Sequence, residues 1–306
     1  MSDTGVLAAA TTVNPLPSGS QLLVVGGGYC GGRLGRRLQK LGARVITTRR
    51  NPATESGELA FNSDGGPVPS SEAIAGTTHV LVTAPPDREG KDPCLNALES
   101  QLRQLELQWV GYLSTTGVYG DRQGGWVDEN DDAPLEKLLR RSAARRRCEQ
   151  AWLASGWPVQ VFRLPGIYGP GRNPMGSLRR GESRLVHKRG QVFCRIHVDD
   201  IVGAVLHCLA LPAEQRPALL NVVDQQPAPS SEVISYAAHL LGCSLPDYQD
   251  FEAIAAELSP MALSFWRDNR RVSNRRLTQE LGYKLLYPSY REGLQGCLNE
   301  ERYPAG

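Results

Sequence analysis

The chain is 306 residues long, 41% apolar and 22% charged, enough to bury the core of one or two coupled domains. Its 34 basic and 32 acidic residues leave a net charge of +2, with no basic run beside stacking aromatics, which favours small-molecule partners over nucleic acid. Its seven cysteines form no CxxC pair and no Cys/His cluster at metal-ligand spacing, which fits a reducing cytoplasm without a structural metal.

Residues 1–19, rich in Ser, Thr, Ala and Pro, read as a flexible tail. Within it the apolar stretch 5–10 is too short to span a bilayer and follows no Lys or Arg, so neither secretion nor membrane insertion is expected. From Gln21 the pattern changes. Runs of branched apolar residues recur at 22–25, 44–46, 79–82, 110–113, 159–164 and 219–223, each separated by enough chain for a crossover helix. That alternation predicts an α/β fold, a doubly wound parallel sheet of the Rossmann type with helices on both faces. The dinucleotide-binding domain is expected over 20–165, with the chain returning to it at about 191–225. Segments 166–190 and 226–306, richer in Pro, Gly and loops, are assigned to a substrate lobe. The first helix shows a buried stripe of Leu34, Leu38 and Leu41, with Arg33, Arg36, Arg37 and Lys40 on a solvated face.

Between the first strand and that helix lies Gly26-Gly27-Gly28-Tyr29-Cys30-Gly31-Gly32, so Gly26, Gly28 and Gly31 fit GxGxxG in the context that gives the motif its meaning. Gly26 permits the tight turn and Gly28 lets the backbone approach a pyrophosphate. Gly31 lets helix and strand pack closely, and the anion falls at the helix N-terminus beside Tyr29 and Cys30. About twenty residues on, where NAD-binding folds often carry a carboxylate for the ribose diol, the sequence reads Thr47-Thr48-Arg49-Arg50. Thr48 with Arg49 or Arg50 suits a 2′-phosphate, because guanidinium offers planar paired donors, and points to NADP with NAD as the alternative. The other reading of these arginines is a solvated strand end.

Further along stand Tyr112-Leu113-Ser114-Thr115-Thr116-Gly117-Val118-Tyr119-Gly120, Trp126-Val127-Asp128-Glu129, Arg163-Leu164-Pro165-Gly166-Ile167-Tyr168-Gly169-Pro170-Gly171-Arg172 and Arg195-Ile196-His197-Val198-Asp199-Asp200. In content and order these resemble the extended or atypical short-chain dehydrogenase/reductase superfamily, and within it the nucleoside-diphosphate-sugar epimerases and dehydratases. The resemblance implies that Thr115 supplies a catalytic hydroxyl, working with a Tyr-x-x-x-Lys pair on the next helix. Here the pair is missing: counting back from Glu149 puts Arg145 at the lysine position and Arg141 at the tyrosine position. Arginine stays protonated in proteins, so Arg141 cannot replace a tyrosine acid or base. Arg141 either holds an anionic group or belongs to a solvated face of an arginine-rich helix.

Arg195 and Arg172 flank the expected substrate side and suit a diphosphate. Ala84-Pro85-Pro86 ends the fourth strand and is placed on the nicotinamide side, with Ser114 close by. Tyr119, Tyr168 and His197 are read as structural, with Asp199 or Asp200 capping a helix that starts near Ile201. Arg271 and Asn274 are weaker ligand candidates. Many members of the superfamily pair through helices, so a homodimer is among the expected assemblies. Two functions remain open: an NADP-dependent oxidoreductase or epimerase/dehydratase-like enzyme acting on an anionic substrate such as a nucleotide sugar, or an inactive dinucleotide-binding sensor or scaffold.

Overall fold

The computed structural model describes residues 12–302. In chain order, β1 (Gln21–Val25), α1 (Tyr29–Lys40), β2 (Arg44–Arg49), β3 (Leu59–Ala60), β4 (His79–Val82), α2 (Pro93–Leu102) and β5 (Trp109–Thr115) come first. A 3-10 turn (Thr116–Tyr119) leads to β6 (Trp126–Val127), α3 (Arg140–Leu153), β7 (Val159–Leu164), β8 (Gly166–Tyr168), α4 (Pro174–Arg179), β9 (Leu185–His187) and β10 (Arg195–His197). The remainder is α5 (Val198–Ala210), β11 (Leu219–Asn221), α6 (Ser230–Leu241), β12 (Tyr248–Asp250), α7 (Phe251–Ile254), α8 (Pro260–Arg267), β13 (Arg271–Val272) and α9 (Tyr290–Arg302).

Seven strands form one sheet in the order β11-β7-β5-β4-β1-β2-β3, and every pairing in it is parallel. This is the α/β, Rossmann-type architecture. Parallel strands are covered on both faces, which explains why all five residues of β1 are apolar or amide and all are buried. Alternation along each strand splits the core in two. Leu22, Val24 and Trp109 pack with Leu34, Leu38 and α5 on one face. Leu23, Val25, Val80, Tyr112 and Trp152 pack with α2 and α3 on the other. The strand order reverses between β1 and β4, and in such sheets ligands occupy the crevice beyond the carboxyl ends at that point.

Helix α3 carries five arginines and shows no amphipathic stripe, yet it is anchored. Glu149, fully buried, accepts from Arg163 Nη2 of β7 at 2.8 Å and from Arg146 at 3.1 Å. Outside the main sheet, α4, α6 and α9 enclose a separate apolar cluster around Met175, Ala237, Tyr290 and Leu294.

Three local expectations need correcting. Arg33 is not on a solvated face: its guanidinium pairs with Asp199 and, at 3.2 Å, with Glu300, tying α1 to α5 and α9. Helix α5 starts at Val198 rather than near Ile201, and its cap is His197, whose Nδ1 accepts from Asp199 N at 3.2 Å. Asp200 instead accepts from Leu286 N, Tyr287 N and Tyr283 Oη. Of the expected tail, residues 1–11 lie outside the described residues, while Leu16 is buried in the main core.

Candidate functional site

Beyond β1 the chain turns at Gly26, whose φ of +103° is strained for any residue with a Cβ. Thr48 holds the turn, its Oγ1 accepting from Gly26 N at 3.1 Å and its carbonyl from Gly27 N at 2.6 Å. A Cβ on Gly31 would strike Gly26 O and lie 2.9 Å from Val24 Cγ1, whereas one on Gly28 would meet nothing within 4 Å. Gly28 is the N-cap of α1 and no side chain satisfies the first backbone N–H groups. Unpaired donors at the positive end of a helix dipole, reached through open space, are what a pyrophosphate needs.

Gly26, Gly28, Thr48, Arg49, Arg50, Ala84 and Pro85 line one cavity of about 380 Å³, which Phe61, Asn62 and Asp64 complete. Thr48 is fully buried by its work on the turn, and Arg50 is exposed. Arg49 Nε donates to Glu58 Oε2 at 2.6 Å. Tyr29 and Cys30 do not line the cavity: the Tyr29 hydroxyl donates to Pro170 O at 2.9 Å, and burial pushes the half-buried Cys30 thiol up to about 11. Ser114 is also apart, buried with its Oγ enclosed and unpartnered.

A second cavity, of about 770 Å³, shares Pro85, Pro86 and Asp87 with the first. Arg141, Arg145, Arg172, Arg195 and Arg270 line it, against two carboxylates, Asp87 and Asp268. Asp268 is already paired with Arg270 at 3.2 Å. The five arginines come from four parts of the chain. Arg145 Nη1 donates to Leu113 O and the Tyr112 hydroxyl at 3.0 Å and to Ala84 O at 3.2 Å, lacing the ends of β4 and β5 together. Arg141, exposed on the first turn of α3, reaches across to stack 4.4 Å above the Phe265 ring of α8. Arg172 lies over the Tyr29 ring. Arg195 Nη1 donates to Phe193 O at 2.8 Å and Ala228 O at 2.9 Å. Beside it, burial raises the Asp224 carboxyl to about 8, against the opposing pull of Arg195.

Thr115 lines the second cavity, its Oγ1 accepting from Gly117 N at 3.1 Å and keeping a proton to donate. Thr116, Ser142, Ser230 and Ser264 are the other hydroxyls in the lining, and burial pushes the Cys194 thiol up to about 11. His197 is outside: it is buried between the Tyr168 and Tyr287 rings, and desolvation lowers it to about 4. Tyr119 and Tyr168 are likewise held inside, donating to Asn221 Oδ1 and Ser289 O. Arg271 and Asn274 spend their side chains on backbone, Arg271 on Gly124 O and Asn274 on Val223 O. Arg270, Phe265, Trp266 and Ser142 were not singled out from the sequence. Arg270 stands directly before Arg271 and outside β13, so no alternation pattern marks it, and the other three carry no motif. Among the described residues no group of three or more His, Cys, Asp or Glu is placed to hold a metal, and no helix is long and apolar enough to cross a membrane.

This geometry can be set beside known proteins. No protein-family model matches the chain. A structure of a functionally unknown conserved protein from Silicibacter pomeroyi superposes with a TM-score of 0.82 at 43% identity, covering 92% of this chain and 99% of that one. A provisionally assigned NAD-dependent epimerase/dehydratase from Methylobacillus flagellatus superposes with a TM-score of 0.69 at 26% identity, over 93% and 100% of the two chains. The chain has the fold of NAD-dependent epimerase/dehydratase structures, consistent with an extended short-chain dehydrogenase/reductase-like superfamily. MoeE5, solved with UDP-glucuronic acid and NAD, shares the fold at 22% identity and a TM-score of 0.73, over 94% and 100% of the chains. A Streptomyces 3-diazoavenalumate denitrifying reductase is 31% identical over 174 residues, a match spanning 53% of this chain and 55% of the reductase.

Proposed function

We propose that this chain is an NADP-dependent oxidoreductase or epimerase/dehydratase-like enzyme acting on an anionic substrate such as a nucleotide sugar. The observation that carries the reading is the second cavity: five arginines face two aspartates, one already paired, where it joins the cavity beside the glycine loop. Excess guanidinium in a half-enclosed site favours carboxylate or phosphate oxygens and disfavours neutral ligands. Two similar proteins support the class, since a structure of the same fold holds NAD with UDP-glucuronic acid and a protein similar over about half its length is named as a reductase.

In this reading Gly26, Gly28 and the backbone of Tyr29, Cys30 and Gly31 hold the pyrophosphate. Arg49 and Arg50 meet the 2′-phosphate, and Ala84 and Pro85 flank the nicotinamide. A bound nicotinamide supplies or accepts the hydride. Thr115 orients the reacting carbonyl through the proton its hydroxyl still has to give, and Arg141, Arg172 and Arg195 hold the anionic group. Arg145 acts by positioning, since its bonds to Ala84 O and Leu113 O fix the two strand ends on which the site stands.

One observation favours a second reading, an inactive sensor or scaffold. Arg145 is engaged with carbonyls and the Tyr112 hydroxyl, and among the described residues no tyrosine or histidine lines the cavity to exchange a proton near neutrality. Calorimetric titration of cofactor-stripped protein with NADPH and NADH, then absorbance assays with nucleotide sugars and aromatic carboxylates, separates the two. Binding with turnover establishes the enzyme. Tight binding without turnover on any anionic substrate establishes the sensor, and absence of binding overturns both.

A further inference from the structure

The tip of β2 carries no carboxylate, but the fold delivers one from the neighbouring strand. Parallel pairing sets Thr48 opposite Leu59, so Glu58, the residue before β3, stands level with Thr47 beside the glycine loop. Its Oε1 lies 3.1 Å from where a Cβ on Gly27 would stand, and its Oε2 takes the Arg49 Nε–H at 2.6 Å. The Glu58 side chain is 19% exposed and that of Arg49 41%. The loop fixes this placement: Glu58 N donates to Ser56 Oγ, which donates to Ala53 O. Arg50, by contrast, is exposed at the cavity wall.

We propose that Glu58 determines the dinucleotide specificity of this site, limiting its preference for NADP(H) over NAD(H) through its ion pair with Arg49. The proposal rests on the dinucleotide reading above. A 2′-phosphate brings close to two negative charges, and beside Glu58 it meets a like charge and an arginine already half-neutralised. A ribose 2′-hydroxyl meets an acceptor instead. Arg49 keeps both terminal nitrogens for a phosphate, so Glu58 orients the guanidinium while opposing the anion it would receive. Arg50 has no carboxylate paired with it among the described residues.

Glu58→Gln separates these effects, because the amide oxygen still accepts from Arg49 Nε while the negative charge is gone. Affinities for NADPH and NADH are read by nicotinamide fluorescence or calorimetry on the full chain, with thermal unfolding as the check on folding. Glu58→Gln is expected to tighten NADPH by about fivefold while leaving NADH unchanged or weaker, the scale of one partly exposed charge pair. Arg49→Ala, which leaves the carboxylate uncovered, is expected to shift the ratio toward NADH. Both shifts shrink as salt is raised. Equal changes in the two affinities, or a ratio moving toward NADH in Glu58→Gln, would overturn the assignment of Glu58. Wild-type protein that binds neither cofactor would overturn the dinucleotide reading itself.

Discussion

The two cavities that meet at residues 85–87 are made of different materials. The smaller one centres on backbone, with Thr48, Arg49, Arg50 and Phe61 around it: a turn at positive φ, a glycine with open space beside it, and the start of one helix without a side-chain cap, within the stretch 26–32. The larger one is side chain, with arginines arriving from α3, from the loop after β8, from β10 and from the segment before β13. A backbone site is encoded in a few consecutive residues and, at Gly26 and Gly31, leaves no room for a Cβ. A side-chain site is assembled from far-apart residues and can lose one member without losing its sign of charge.

The largest expected effect is on the frame that carries both cavities. Glu149→Ala leaves Arg163, 1% exposed, without its carboxylate, and should lower unfolding free energy by about 3–5 kcal/mol in denaturant titrations. A loss below about 1 kcal/mol would show that water reaches Arg163. Next comes the backbone site. Gly31→Ala should weaken dinucleotide binding about a hundredfold, because the added methyl meets Gly26 O and Val24 and pries the helix from the turn. If the variant binds normally, the contrast between the two cavities fails at its stronger end.

The side-chain cavity should yield by degrees. Arg141→Ala and Arg172→Ala, each removing one exposed guanidinium, should weaken UDP-glucuronic acid, used as the probe, about tenfold and leave cofactor affinity unchanged in calorimetry. Loss of cofactor binding in either would merge the two sites into one. The smallest effect is a pH dependence. Asp224 holds its proton up to about 8 in the folded chain and only to the ordinary carboxylate range when unfolded. Between those limits the folded state binds the extra proton, so this group's contribution makes stability fall as pH rises from about 4 to 8. Asp224→Asn should flatten that slope, raising Tm by about 2–4 °C at pH 8 relative to pH 5 when each is compared with the parent chain.

Much of this was legible in the residues themselves. The strand runs and their spacing gave the parallel sheet, since strands covered on both faces must be apolar throughout and need a crossover between them. The glycine loop was readable for the same reason that it is intolerant: its geometry is local, and only glycine satisfies it. What the chain order concealed is pairing between distant elements. Arg33 reads as one of four basic residues on a helix face, and only the packing of α5 and α9 against α1 brings Asp199 and Glu300 to it. Arg145 sits in an arginine run indistinguishable from a solvated face until β4 and β5 present it with carbonyls. Glu58 precedes a strand of two residues and carries no motif, yet strand register sets it against Arg49. The sequence by itself determined the sheet and the backbone cradle, because both follow from short-range sterics and burial. The tertiary structure decided which charges meet, because electrostatic partners are chosen by proximity in space and leave no periodic trace along the chain.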